Sequence, residues 1–152
     1  MDTPYGKISA VICWDADFPN VMKQAGEQGV DLLFVPSNDW KGVKDIHAGM
    51  AAFRAVENGM SIYRQTGSGV SLVTDAYGRT IRRVDSFETE PAGNFTSLQT
   101  VVTPVGSVNT LYPVIGDAVG NVMLVLLVGL LIGLVVTRKR RAVPVKPESV
   151  PA

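Results

Sequence analysis

The chain is poor in the groups that close disulfides and bind metals: its 152 residues include one cysteine, Cys13, and one histidine, His47. A lone thiol excludes an intramolecular disulfide, and one thiol with one imidazole falls short of the ligands of a structural zinc site. There is no glycine-rich phosphate loop and no basic stripe with interleaved aromatics, which argues against nucleotide and nucleic-acid partners. No cofactor is expected. Residues 1–6 carry no basic region and no apolar core, so this stretch does not read as a secretory signal. No internal repeat is visible.

Charge is absent from 118–137, where the run from Ala118 to Thr137 is apolar apart from glycine, Asn121 and the final threonine. Its 20 residues, at about 1.5 Å of helical rise each, cover roughly 30 Å, the thickness of a bilayer core. Arg138, Lys139, Arg140 and Arg141 follow it directly. The overall charges cancel, 14 basic against 14 acidic, yet residues 1–117 carry 9 basic and 13 acidic while residues 118–152 carry 5 and 1. One membrane span with a basic stop fits both facts; a buried core helix explains neither the length nor the stop. Basic residues after a span stay cytoplasmic, which places the tail inside and residues before Ala118 outside. The same cluster suits anionic lipid better than nucleic acid. Residues 144–152, rich in proline, read as a disordered tail.

Residues before the span alternate short β runs with helical patterns. Residues 8–13 read as a buried strand ending at Cys13, followed by a helix over 18–28 with Pro19 in its first turn and Gly29 as its end. Residues 32–36 read as a second strand and 37–42 as a loop. Strand, helix, strand in this order implies a parallel unit whose ligand-binding loops lie at the carboxyl ends of the strands. Cys13 and the loop of Ser37, Asn38, Asp39 and Trp40 then flank one crevice. A thiol between a sheet edge and a helix start suits a nucleophile, whereas a buried apolar cysteine is the ordinary alternative. Both readings stand on these residues alone.

A second helix is expected over 45–58, with Ile46, Met50, Phe53 and Val56 as its core-facing stripe and His47, Arg54 and Asn58 on another face. Three β runs follow, at 60–65, 69–74 and 79–84, the last two joined as a hairpin by a turn at 75–78. A further strand is expected at 95–103, and Asn94 to Thr96 matches a glycosylation acceptor by pattern. Residues 102–110 read as a connector toward the membrane.

The segments around Cys13, then Leu32 to Trp40, then His47 with Arg54 to Gly59, then Arg64 to Arg79, together resemble the later part of a carbon-nitrogen hydrolase, or nitrilase superfamily, domain. The Asn38-Asp39-Trp40 loop, residues 66–71, residues 111–117 and the span after them are most similar to the bacterial apolipoprotein N-acyltransferase branch. The implied fold is α/β: a partial nitrilase-like α-β-β-α sandwich over residues 1–112, a connector and transmembrane helix over 113–137, and a basic tail over 138–152.

The resemblance implies Cys13 as nucleophile, supported by Trp14, Asp15, Asn38, Trp40, Arg54 and Glu57. Asp15 stands where the branch usually has a glutamate, and Lys41 follows Trp40 where an aromatic is usual. Arg54 and Glu57 would support one another across one helical turn, and His47 would anchor structure. Members of the family use a glutamate base and a lysine upstream of the cysteine, so the chain reads as a carboxyl-terminal fragment that is inactive alone. Lys7, on the strand entering Cys13, is not that lysine. The implied activity moves a phospholipid acyl group, through a Cys13 thioester, to the amino terminus of a lipoprotein at the bacterial inner membrane. A membrane-anchored amidase and a non-catalytic anchored interaction protein are the alternatives.

Overall fold

The computed structural model describes residues 1–89 and 106–141. The strand expected at 95–103, the Asn94 acceptor pattern and the tail at 144–152 lie outside the described residues. Six strands form one sheet in chain order: β1 (Asp2–Thr3), β2 (Gly6–Ala10), β3 (Leu32–Ser37), β4 (Ser61–Thr66), β5 (Val70–Thr74) and β6 (Thr80–Asp85). β2, β3 and β4 pair in parallel through two crossover helices, α1 (Pro19–Glu27) and α2 (Lys44–Asn58), and β4, β5 and β6 are antiparallel. Alternation along the strands sorts the side chains. Leu33, Val35 and Ile62 meet Met22 and Ala25 of α1 and Ala51 and Ala55 of α2 in one cluster, so both helices cover that face. Phe34 and Tyr63 stack on the opposite face, ring centroids 5.7 Å apart, with Phe34 38% exposed.

Two expectations are corrected here. The first strand ends at Ala10, three residues before Cys13. Val11 still donates its N–H to the Phe34 carbonyl at 3.0 Å, but the Asp15 carboxylate accepts the Ile12 N–H at 3.1 Å and draws the chain into a 3-10 turn, Cys13–Asp17. A short acidic side chain has won the backbone from the sheet.

The second correction concerns α2. Ile46, Phe53 and Val56 are exposed, Met50 is half-buried, and the buried stripe is Ala48, Ala51 and Ala55 with Arg54 and Asn58. Small alanines let the helix lie close on β4 and β5. Arg54 and Asn58 tolerate burial because Arg54 pairs with Glu57 and the Asn58 amide donates to the Arg54 carbonyl at 3.0 Å.

α2 ends at Gly59 in the left-handed region, φ 65°, and a Cβ there would stand 1.8 Å from the Val108 carbonyl oxygen. That close approach is used: the Val108 N–H donates to the Gly59 carbonyl at 2.7 Å, and the Thr110 hydroxyl to the Glu57 carbonyl at 2.6 Å. Residues 106–110 of the expected connector are therefore tied onto the sheet domain. After the one-turn helices α3 (Ser86–Thr89) and α4 (Tyr112–Ile115), the compact unit Met1–Gly116 ends. The second unit holds α5 (Ala118–Arg141), whose stretch Ala118–Arg138 is 21 residues, long and apolar enough to cross a membrane. None of that stretch is buried, as a core helix would be.

Asp31 sits at the entry to β3 and ties three segments together. Its Oδ2 accepts the Lys7 N–H at 2.7 Å and its Oδ1 the Ser107 N–H at 2.5 Å. These bonds, that from Lys7 foremost, hold its carboxyl below the usual carboxylate range. A carboxyl lowered in the folded state stabilises above its unfolded value of about 3.9 and loses that contribution as pH falls through the folded value. Asp31→Asn should thus lower stability at pH 7 by about 1 kcal/mol, reduced by partial solvent screening. Thermal melts of parent and variant should converge as pH falls through the folded value, and a gap that persists in strong acid would refute the charge as its origin.

Candidate active site

Cys13 opens the 3-10 turn with φ 50°, the only described non-glycine residue at positive φ. A side-chain-bearing residue held there is strained by roughly 1–2 kcal/mol and persists only where its surroundings hold it. The half-buried thiol donates to the Asn38 carbonyl at 3.7 Å, across the carboxyl ends of β2 and β3. The parallel crossover thus puts thiol and loop side by side. Among the described residues no carboxylate or amine hydrogen-bonds that sulfur. Asp15, facing the Ile12 N–H, shapes the turn rather than the thiol.

Beneath turn and loop runs a line of charge. His47 Nε2 lies 3.3 Å from Asp17 Oδ2 and Nδ1 lies 3.0 Å from Asp39 Oδ1. Arg64, 1% exposed, donates through Nη2 to Asp39 Oδ2 at 2.7 Å and through Nη1 to the Val70 carbonyl at 2.7 Å. Burial pushes the Asp17 carboxyl up from its ordinary value; His47, Arg64 and Arg54 pull against that and Asp39 adds to it. Trp14 and Trp40, 60% and 63% exposed, flank the imidazole at 6.2 and 6.4 Å between ring centroids.

The structure therefore gathers Cys13, Trp14, Asp15, Asn38 and Trp40 about the carboxyl ends of β2 and β3. Arg54 and Glu57 pair on α2, and Arg54 acts on this group through its field at Asp17. Asp17 and Arg64 join the site without having been singled out in the sequence, and Asp39, named there only as part of its loop, joins with them. Spacing could have flagged Asp17, four residues after the thiol, and Asp39, between Asn38 and Trp40. Nothing local marks Arg64, which reads as one polar residue in an alternating strand. Among the described residues no group of three histidine, cysteine, aspartate or glutamate side chains is placed to hold a metal ion.

A thiol on a positive-φ residue at the carboxyl ends of parallel strands, in a mixed sheet clad on one face by two crossover helices, defines a class: α/β proteins with a site at the strand ends. A nitrilase-superfamily protein of Saccharomyces cerevisiae, Nit3, superimposes with a TM-score of 0.52 at 25% identity, over 56% of this chain and 35% of that one. Residues 1–104 match the family described as Carbon-nitrogen hydrolase, and the chain belongs to that family. It is similar to the apolipoprotein N-acyltransferase of Borreliella burgdorferi, 29% identical over 124 residues that make 79% of this chain and 23% of the relative. It is also similar to that of Pseudomonas aeruginosa, 32% identical over 85 residues that make 54% of this chain and 17% of the relative. The chain spans less than a quarter of the length of these relatives.

Proposed function

We propose that the chain is the nucleophile-bearing part of a phospholipid-dependent N-acyltransferase, with Cys13 as the nucleophile. The Cys13 thiolate attacks the ester carbonyl of a phospholipid, the carbon–oxygen bond breaks, and the lysophospholipid alkoxide leaves with a proton. The amine of a lipid-modified cysteine at a lipoprotein amino terminus then attacks the thioester, the carbon–sulfur bond breaks, and the thiol is regenerated. The observation that carries this reading is the strained thiol beside the Asn38–Trp40 loop in a chain that also holds one apolar helix of spanning length. Trp14 and Trp40 offer apolar surface for acyl chains, Asn38 receives the thiol, Asp15 shapes its turn, and Arg54 with Glu57 stiffens the adjoining helix. The sheet unit would face the extracytoplasmic side and the basic tail the cytoplasm.

Acyl transfer needs a base for the thiol and positive charge or N–H donors for the oxyanion. In this reading the base and the cation are supplied by residues other than those named above. Joining the part of the Pseudomonas aeruginosa relative that precedes its matched 85 residues to this chain gives a testable chimera. Incubated with labelled phospholipid in detergent, the chimera should carry a hydroxylamine-labile acyl group on Cys13, seen by intact mass, and the chain alone should not. A folded chimera that stays unacylated, or that hydrolyses small amides instead, overturns the proposal.

A further inference from the structure

We propose that His47 is a positioning residue that clamps the Cys13 thiol from two sides, through Asp17 in its own turn and Asp39 beside the carbonyl that receives it. The inference rests on reading Cys13 as the nucleophile and adds the means by which that nucleophile is held. Asp17 closes the Cys13–Asp17 turn, and Asp39 directly follows Asn38, the thiol's acceptor. Their carboxylates converge on one imidazole, at 3.3 Å on Nε2 and 3.0 Å on Nδ1. One side chain from α2 thereby fixes the distance between the turn that carries the sulfur and the loop that accepts its hydrogen.

The chemistry of the ring makes this more than packing. A neutral imidazole has one N–H, so serving two ionised carboxylates would set one lone pair against another. Bridging both carboxylates therefore takes one more hydrogen than a neutral ring between two carboxylates carries. Burial of Asp17 favours the arrangement. The charged groups that face it are Asp17 from the turn, Asp39 from the loop after β3, Arg64 from β4 and Arg54 from α2, itself paired with Glu57. Arg64 fixes Asp39 from below, and the indoles of Trp14 and Trp40 flank the ring.

The test is the alkylation rate of Cys13, the chain's one cysteine, by iodoacetamide in the full chain in detergent micelles near neutral pH. In His47→Gln, an amide presents one N–H face and one oxygen face, so one carboxylate meets an oxygen, the loop parts from the turn, and the thiol loses its acceptor. Alkylation should quicken about fivefold, the scale of one hydrogen bond's net worth. Adding Asp17→Asn supplies an N–H toward the glutamine oxygen and should bring the rate back to within about twofold of the parent. A His47→Gln rate equal to the parent's overturns the clamp, and so does a double variant as fast as the single, which would mean that ring volume alone matters. Should His47→Gln fail to fold, Asp17→Ala severs one arm and should quicken alkylation likewise; an unchanged rate there is equally fatal. Alkylation needs no lipid, so an unacylated chimera would sink the transferase reading and leave this result standing.

Discussion

Replacing Cys13 with alanine in the chimera should reduce acyl transfer at least about 10⁴-fold, because removing a covalent nucleophile leaves only binding and oxyanion stabilisation. The sulfur is where the acyl group is stored between two substrates that need not be bound together, so no neighbouring hydroxyl or water can substitute without a new geometry. Phospholipid binding, made by other groups, should be almost unchanged; the loss belongs in kcat. Cys13→Ser sharpens the test. Serine keeps the positive φ and the hydrogen bond to Asn38, yet its hydroxyl ionises far less readily than a thiol and forms a more stable ester. A trapped, hydroxylamine-resistant acyl-serine, or no adduct, is expected. Undiminished turnover in Cys13→Ala, measured as lipoprotein acylated per minute, would show that the thiol is not the nucleophile.

The same prediction shows how far the residues alone could lead. A parallel β-helix-β unit with strand ends near Cys13 and Trp40 follows from apolar runs, Pro19 and the turn residues at 37–42, because strand period and helix start signals are local. The turn between them was not visible as such. Asp15 bonds the Ile12 N–H through an orientation that no periodicity encodes, and this ends the strand early. Helix α2 fails in a different way. Two of its faces qualify as a packing face, and the larger apolar one lost because close approach to the sheet favours alanine over Ile46 and Phe53. Which face wins depends on the space left by β4 and β5, a tertiary quantity.

The buried charges were the least legible part of the site. His47, Asp39, Asp17 and Arg64 are spread over 48 positions, from 17 to 64, and become one network only when β3 and β4 pair in register. Val35 opposite Arg64 in that register sets the guanidinium level with the loop that starts after Ser37. Residue type alone suggests an arginine in solvent, yet strand alternation puts Arg64 on the face of Met60 and Ile62, and it is 1% exposed. Its burial is explained by its partners, since its hydrogen bonds to Asp39 and to the Val70 carbonyl end on buried acceptors.

Arg64→Met should accordingly be the most destabilising single change in the sheet unit. Methionine fills much of the same volume, so the cost is electrostatic: Asp39, 5% exposed, keeps its charge and loses its strongest partner, while the Val70 carbonyl loses its donor. Removing one member of a buried pair costs about 3–5 kcal/mol. Set against total stabilities of about 5–15 kcal/mol, that loss is enough to populate unfolded molecules near body temperature. Urea titration followed by far-ultraviolet circular dichroism should show a lower midpoint with an unchanged slope. Adding Asp39→Asn removes the stranded charge, and the double variant should recover about 1–3 kcal/mol relative to the sum of the single losses. Purely additive losses would mean that Arg64 stabilises through the Val70 carbonyl alone. In that case Asp39 would be held by His47, and the clamp on the Cys13 turn would survive the loss of the guanidinium.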